Sequence, residues 1–502
     1  MAVCKQLRWF TLTVGVLVAM VVAGTASAAR PMNTGVEIYS GDAGNMTANI
    51  ANAFPKVSLA GAKYTRLVLV WRNVSPSPGS TSLPVPVSAL DNPATYNWTT
   101  FDAYVSTAVN NGLTPLITVW QAPRWAENRT TELARAGTVR PIPAYFRAFA
   151  TAAATHYRAL YPTKSFAWEA WNEPNLKYFL MPQKNHDGSW HSPAMYRSLL
   201  NAFYTGIQAA DPGGRVVAGS TAPFGHSGQP GALLFLRKVL CLSNLNRPVS
   251  GCGADPAHAD AWSTHPYTSG GPTHHAYSPN DVSLGDLGRM HKALVAAIRS
   301  GHLKSSHAPI QFWVSEFGWD SKGPDPGGVP LSLHARWTSE ALYRAWRAGV
   351  SVFIFHQLRD RPVPGYAYQA GLYFCGAAAL TDDSTCEKTT TSFDLDKAKP
   401  ALRAATFPFT AFAANGRITI WGRTPSSLAG KTIVIERRTR SGYRRLFTMT
   451  SNGVGIFTKR FSSRLTSGFL RARMVSPSMA SVPFSLAHIR DRPAKPWGSV
   501  LN

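Results

Sequence analysis

Three observations predict an α/β chain, a (β/α)8 TIM barrel followed by a small all-β sandwich. Eight short apolar runs recur between Gly35 and Gln357, amphipathic helical stretches separate them, and the texture changes after Asp396. The runs are GVEIY (35–39), YTRLVLVW (64–71), TPLITVW (114–120), SFAWEAW (165–171), RVVAG (215–219), HADAWST (258–264), PIQFWVS (309–315) and VSVFIFHQ (350–357). Several are continuous rather than alternating, as expected of strands covered on both faces. A doubly wound sheet shares the alternation of strand and helix, but eight repeats without a glycine-rich phosphate loop favour the barrel.

The stretches between the runs carry helical signals. PAYFRAFATAAATHYRAL sets Tyr145, Phe146, Phe149, Ala153, His156, Tyr157 and Leu160 at three- and four-residue steps. SPAMYRSLLNAFYTGIQAAD opens on a Ser-Pro cap signal, and LHARWTSEALYRAWRAG closes on a glycine stop. Beyond Asp396, RITIWGR, KTIVIERR, YRRLFTMT, GVGIFTKRF and GFLRARMVS are short β-type runs parted by Gly, Ser and Asn. Several alternate apolar with charged residues, as half-exposed antiparallel strands do. The expected layout is a barrel over 29–396, a β-sandwich over 397–489 and a loose tail over 490–502.

Residues 1–28 do not belong to that fold. Lys5 and Arg8 precede an apolar run from Trp9 to Val22, and Ala26-Ser27-Ala28 offers a small-residue cleavage site. This is the pattern of a secretory signal peptide, so the chain is expected to be secreted, with no membrane span after cleavage. An uncleaved anchor is the alternative, but the run is short for a spanning helix of about 20 residues. Four cysteines remain beyond the leader: Cys241, Cys252, Cys375 and Cys386. An even count in an exported chain suggests two disulfides, and the local pairs 241–252 and 375–386 are the simplest of the three connectivities. No pair has C-x-x-C spacing, so no metal is expected.

The formal charge of the whole chain is +25, and its distribution is uneven. From Ala401 to Asn502 there are 17 Lys and Arg against Glu436 and Asp491, a net +15. An exported basic segment does not meet chromosomal DNA, so no nucleic-acid partner is expected. Anionic cell-wall or matrix polymers are the better candidates, with wall association as a consequence. A solvated, arginine-rich surface with no partner is the alternative.

Two carboxylates carry the functional signal. FAWEAWNEPN places Glu173 just past the fourth run, where Pro174 ends regular structure, and VSEFGW places Glu316 past the seventh. In a barrel both strand ends open on the C-terminal face, where such barrels keep their active sites. Two carboxylates aimed into one cleft suit hydrolysis of a glycosidic bond, one as acid then base, the other attacking the anomeric carbon. The alternative is that each glutamate only pairs with an arginine.

With these motifs, the sequence from Gly35 to Gln357 resembles the clan A glycoside hydrolases, most like families 39 and 5. The resemblance implies Glu173 as acid/base, Glu316 as nucleophile and Asn172 as a hydrogen-bond partner of the sugar 2-hydroxyl. Arg66 resembles the strand-two arginine that keeps the nucleophile ionised. His265 and Tyr267 in STHPYT resemble the strand-six His-x-Tyr whose tyrosine touches the nucleophile. PLITVWQAPRWA resembles family 39 at the end of strand three. One departure stands out: many clan members end strand eight with a tryptophan floor, whereas here Phe355, His356 and Gln357 occupy that place.

Trp71, Trp120, Trp125 and Trp319 lie near strand ends and offer flat apolar faces to sugar rings, although tryptophan is more often core. Trp319 is the candidate substitute for the floor, and the loop HDGSWH (186–191) a candidate subsite wall. The expectation is thus a retaining glycoside hydrolase acting on a poly- or oligosaccharide without a cofactor. A carbohydrate- or wall-binding barrel that has lost activity, and a transglycosylase on the same scaffold, remain the alternatives.

Overall fold

The computed structural model describes residues 30–38, 50–129, 135–250, 255–323, 325, 327–360, 369–375, 393–489, 491 and 493–494. The expected signal peptide, Cys252 and Cys386 lie outside the described residues. Eight strands form a closed barrel: β1 (Asn33–Glu37), β2 (Tyr64–Val70), β3 (Thr114–Trp120), β4 (Ala167–Ala170), β5 (Arg215–Thr221), β6 (Ala261–Thr264), β7 (Gln311–Val314) and β8 (Val350–Phe355). Every neighbouring pair is parallel, and β8 closes on β1. Each of the eight apolar runs supplies one strand.

Successive residues of a strand face opposite sides, so every second side chain points into the barrel. The lower interior is apolar: Leu116, Ala167, Val217, Trp313, Val352 and Ile354 cluster there, and the rings of Tyr64 and Trp313 lie 5.4 Å apart. Two residues further along, the interior turns polar, with Arg66 two past Tyr64 and Glu169 two past Ala167. The apolar layer thus forms a floor beneath a charged one.

The helix Pro143–Leu160 starts with proline in its first turn, where no intrahelical bond is lost. It packs on the helix Ser192–Ala210 at a distance only glycine permits, since a Cβ on Gly206 would lie 2.4 Å from the Arg147 carbonyl oxygen. Ser192 is the first helical residue rather than the cap; His191 holds that position, and Ser192 Oγ donates to Gln183 Oε1 at 2.8 Å. The helix Leu331–Arg347 does end as expected, with Gly349 at φ +100° just beyond it.

Two antiparallel sheets follow. One contains β9 (Phe409–Ala414), β10 (Arg417–Arg423) and β13 (Ile456–Ser462); the other centres on β11 (Thr432–Thr439) between β12 (Gly442–Thr450) and β14 (Phe469–Met474). Ile418, Ile420, Ile433, Ile435, Phe457 and Leu470 form the core between them. On the far side of the first sheet, Trp421 meets Tyr343 and Trp346 of the barrel helix at 5.6 and 5.7 Å. The helix Pro400–Thr406 contributes Ala401 and Ala405 to the barrel core, so the divide between the two cores falls later than the change of texture. The expected loose tail is anchored at its start: Asp491 accepts from the Gly271 amide and the Ala494 amide donates to the Ser269 carbonyl. Among the described residues no helix is long and apolar enough to cross a membrane.

Candidate active site

Arg66 points from β2 into the polar layer and is 1% exposed. Its Nε donates to Glu169 at 2.9 Å, one terminal nitrogen to Glu37 at 3.3 Å and to Glu316, and the other to Asn172 Oδ1 at 2.7 Å. Glu169, fully buried, also accepts from Thr118 Oγ1 at 2.7 Å and Ser263 Oγ at 2.9 Å. A buried charge needs this degree of pairing, because desolvation otherwise exceeds the Coulombic gain. Arg66 is therefore an organiser of three carboxylates rather than the partner of one.

Regular structure ends early on β4. Trp171 and Glu173 have φ of 74° and 39°, in the left-handed region, and Gln121 and Ser220 on the flanking strand ends share it. Such residues cost of order 1–3 kcal/mol each and persist where surrounding contacts over-determine them. Here the Trp171 indole donates to the Phe179 carbonyl at 2.8 Å, the Glu173 amide to the Ser220 carbonyl at 2.9 Å, and Asn175 bonds both ways with Ala222. The result sends Trp171 into the helical layer and Glu173 towards the barrel mouth.

Glu173 and Glu316 meet there, 9% and 7% exposed. Single oxygens of the two carboxyl groups lie within 4.8 Å of one another and of a His265 nitrogen. His265 Nδ1 is 2.9 Å from Glu173 Oε1, and its Nε2 is 3.0 Å from Ser220 Oγ and 3.1 Å from Ser315 Oγ. Tyr267 donates to Glu316 Oε2 at 3.0 Å. On the other side, His356 Nδ1 lies 2.6 Å from Glu37 and 3.9 Å from Glu316.

These contacts separate the two glutamates electrostatically. Burial, reinforced by the charge of Glu316, holds the Glu173 carboxyl well above the usual carboxylate range against the pull of Arg66. Burial raises Glu316 too, but Arg66, His356 and the Tyr267 hydroxyl all act against that rise. Glu316 is accordingly the one to ionise first. Burial, with Arg66 and His356 nearby, keeps His265 well below the ordinary imidazole value and hence neutral. Burial works against charge on His356 as well, but Glu37 and Glu316 outweigh it and hold its pKa above the ordinary value.

Of the residues singled out in the sequence, Glu173, Glu316, Arg66, Asn172, His265 and Tyr267 converge on this one cluster. Trp71 does not: it is fully buried, stacked on Phe149 at 5.2 Å in the layer between barrel and helix. Trp319 is 2% exposed, donates to the Gly270 carbonyl at 2.9 Å and packs on Phe317 and Trp337, which makes it a support for the loop rather than an open floor. Trp125 is likewise buried, its indole bonded to the Pro76 carbonyl. Trp120, 7% exposed, lies at the end of β3 with the Arg135 guanidinium 4.9 Å above its ring.

Glu37, Glu169 and His356 complete the cluster. The available signal was a carboxylate inside the otherwise apolar runs GVEIY and SFAWEAW, where a buried charge demands a partner. Among the described residues, the sets Glu37–Glu316–His356 and Glu173–His265–Glu316 each bring three possible metal ligands together. Arg66 already bonds Glu37 and Glu316, so a positive charge stands where a cation would be drawn.

No protein-family model and no curated protein matches the chain. Solved structures do. One is a family 39 glycoside hydrolase from the gut symbiont Bacteroides cellulosilyticus WH2, 16% identical over 87% of this chain and 82% of that one, with a TM-score of 0.51. A GH30 endoxylanase from Clostridium papyrosolvens C71 is 12% identical over 86% and 94%, TM-score 0.42. An exo-β-1,4-mannosidase from an Opitutaceae bacterium is 16% identical over 76% and 59%, TM-score 0.44. At such identities the likeness is one of fold, and the first of these structures carries it. One barrel hosts many chemistries.

Proposed function

We propose that this chain is an exported glycoside hydrolase that cleaves O-glycosidic bonds of a poly- or oligosaccharide by a two-step retaining mechanism. The observation that carries the proposal is the pair Glu173–Glu316, with oxygens within 4.8 Å of one another at the open end of the barrel. A retaining pair stands about 5–5.5 Å apart, an inverting pair about 6.5–9.5 Å, since only the latter must admit a water.

In the first step Glu316, ionised, attacks the anomeric carbon. The bond to the leaving oxygen breaks, and Glu173 gives that oxygen its proton. In the second step Glu173, now a carboxylate, takes a proton from water as the water oxygen displaces Glu316 and frees the sugar. The raised pKa of Glu173 suits the first role, and Arg66 with Tyr267 holds the attacking oxygens of Glu316 in place. Asn172, fixed through its Oδ1 by Arg66, can present its amide nitrogen to a sugar hydroxyl. Export is consistent with the leader-like N-terminus and with the even count of cysteines beyond it, which we propose to be oxidised and paired as 241–252 and 375–386.

The test is the anomeric configuration of the first product, followed by NMR on an aryl glycoside. Retention is expected, and Glu316→Gly should abolish turnover because no covalent intermediate can form. An inverted first product would overturn the nucleophile assignment.

A further inference from the structure

One face of the second C-terminal sheet gathers four arginines, Arg438, Arg445, Arg471 and Arg473, around Glu436. On β11 the residues Ile433 and Ile435 point into the sandwich core, so Glu436 and Arg438 belong to opposite sides from their odd-numbered neighbours, apart from the local bulge after Ile435. Cross-strand register sets Arg445 of β12 and Arg471 of β14 on either side of Glu436, and Tyr443 beside Arg438. Strands about 4.8 Å apart make this a compact patch. Because the three-stranded sheet lies between this core and the barrel, through Trp421, the patch faces away from the barrel.

Glu436 organises the patch. It accepts from Arg471 Nε and Arg473 Nε, both at 2.8 Å, and those bonds hold its carboxyl below the usual range even against its own burial. Only the Nε atoms are used, so the terminal nitrogens of both guanidiniums have no partner among the described residues. Arg471 lies 3.4 Å over the Tyr443 ring, which fixes its plane. Arg438 and Arg445 are exposed and have no carboxylate partner among the described residues. Beside Arg438, Phe469 is 39% exposed.

We propose that this face docks a carboxylate-bearing polysaccharide, one built on uronic acids. Four guanidiniums lie around a single carboxylate, so the patch is electropositive, and Arg471 and Arg473 already hold that carboxylate through their Nε atoms, leaving their terminal nitrogens to face outward. Guanidinium matches carboxylate through paired hydrogen bonds, and the Tyr443 and Phe469 rings offer the flat apolar faces that sugars pack on. The choice of a glycan over a nucleic acid rests on the glycosidase reading of the barrel. The docking itself does not use the catalytic residues.

The experiment is affinity electrophoresis of the full chain in gels containing polygalacturonate, dextran sulfate, neutral dextran or duplex DNA. Polygalacturonate should retard the protein at low salt and lose it near 1 M, where the screening length is about 3 Å; neutral dextran should do nothing. The double variant Arg438→Gln/Arg445→Gln, which leaves the Glu436 bonds intact, should weaken retardation at least tenfold. Arg417→Gln/Arg460→Gln removes the same charge from the three-stranded sheet and should leave it within twofold. Equal losses in both variants would mean diffuse attraction and overturn the site. Tighter retention by DNA, or by dextran sulfate alone, would overturn the occupant. Aryl-glycoside turnover, measured in parallel and expected to be unchanged in both variants, reports separately on the catalytic reading.

Discussion

Replacing Arg66 by Met removes the one guanidinium shared by Glu37, Glu169 and Glu316 while roughly keeping its volume. Removing one partner of a buried ion pair costs about 3–5 kcal/mol, because a charge is left uncompensated. Glu316, which burial pushes up and Arg66 chiefly holds down, responds by keeping its proton to higher pH, so its folded pKa rises further above the unfolded one. Groups shifted in that direction favour folding below the unfolded pKa, and that contribution is lost as pH rises through the folded value. The variant should therefore be least stable relative to the parent near pH 8 and should recover part of the deficit near pH 5. Each pKa unit gained by one carboxylate is worth about 1.4 kcal/mol. Urea unfolding of both proteins at the two pH values measures this, and the difference between them cancels the titration of every unaffected group. The same change should move the acidic limb of kcat/KM upward and lower its value at pH 7 by about 100-fold, the equivalent of about 3 kcal/mol. A deficit that is the same at pH 5 and pH 8, or larger at pH 5, would refute the shared-cation account of this site.

Three other outcomes follow from the geometry. Glu173→Ala should spare substrates with good leaving groups, which need little protonation, and should erase the basic limb of the pH profile; a basic limb that persists would assign the acid elsewhere. His356→Gln takes away a positive charge 3.9 Å from Glu316, so the acidic limb should move upward by about one pH unit, and a downward shift would contradict the charge on His356. Mass mapping of unreduced peptides should link Cys241 to Cys252 and Cys375 to Cys386, and free thiols on the secreted protein would count against both the pairing and the export.

The resemblance to clan A enzymes pointed to Glu173 and Glu316 because the motifs that carry it are short and contiguous. Asn172-Glu173-Pro174 and Ser315-Glu316-Phe317 each pack a strand end, a carboxylate and a break in regular structure into three residues. The tryptophans were harder. Trp71, Trp120, Trp125 and Trp319 all stand near strand ends, but whether such a ring faces the mouth or the helical layer depends on the turn that follows the strand. After β2 the chain enters a short helix, Trp71–Val74, and carries Trp71 into the apolar layer. After β7 the loop folds back so that the Trp319 indole bonds Gly270 across the barrel rim.

The sequence by itself determined the order of the eight strands, the sandwich that follows them and the pair of glutamates, because periodicity and turn chemistry are local and each run satisfies them within a few residues. Only the tertiary structure decided that Glu37 from β1, Glu169 from β4 and His356 from the end of β8 share one charged layer with Arg66. Barrel closure creates those neighbours: β8 lies against β1 although 319 positions separate His356 from Glu37. Ionisation was settled at the same level, since a carboxylate's pKa depends on burial and on charges a few ångströms away, and both are products of packing rather than of residue type.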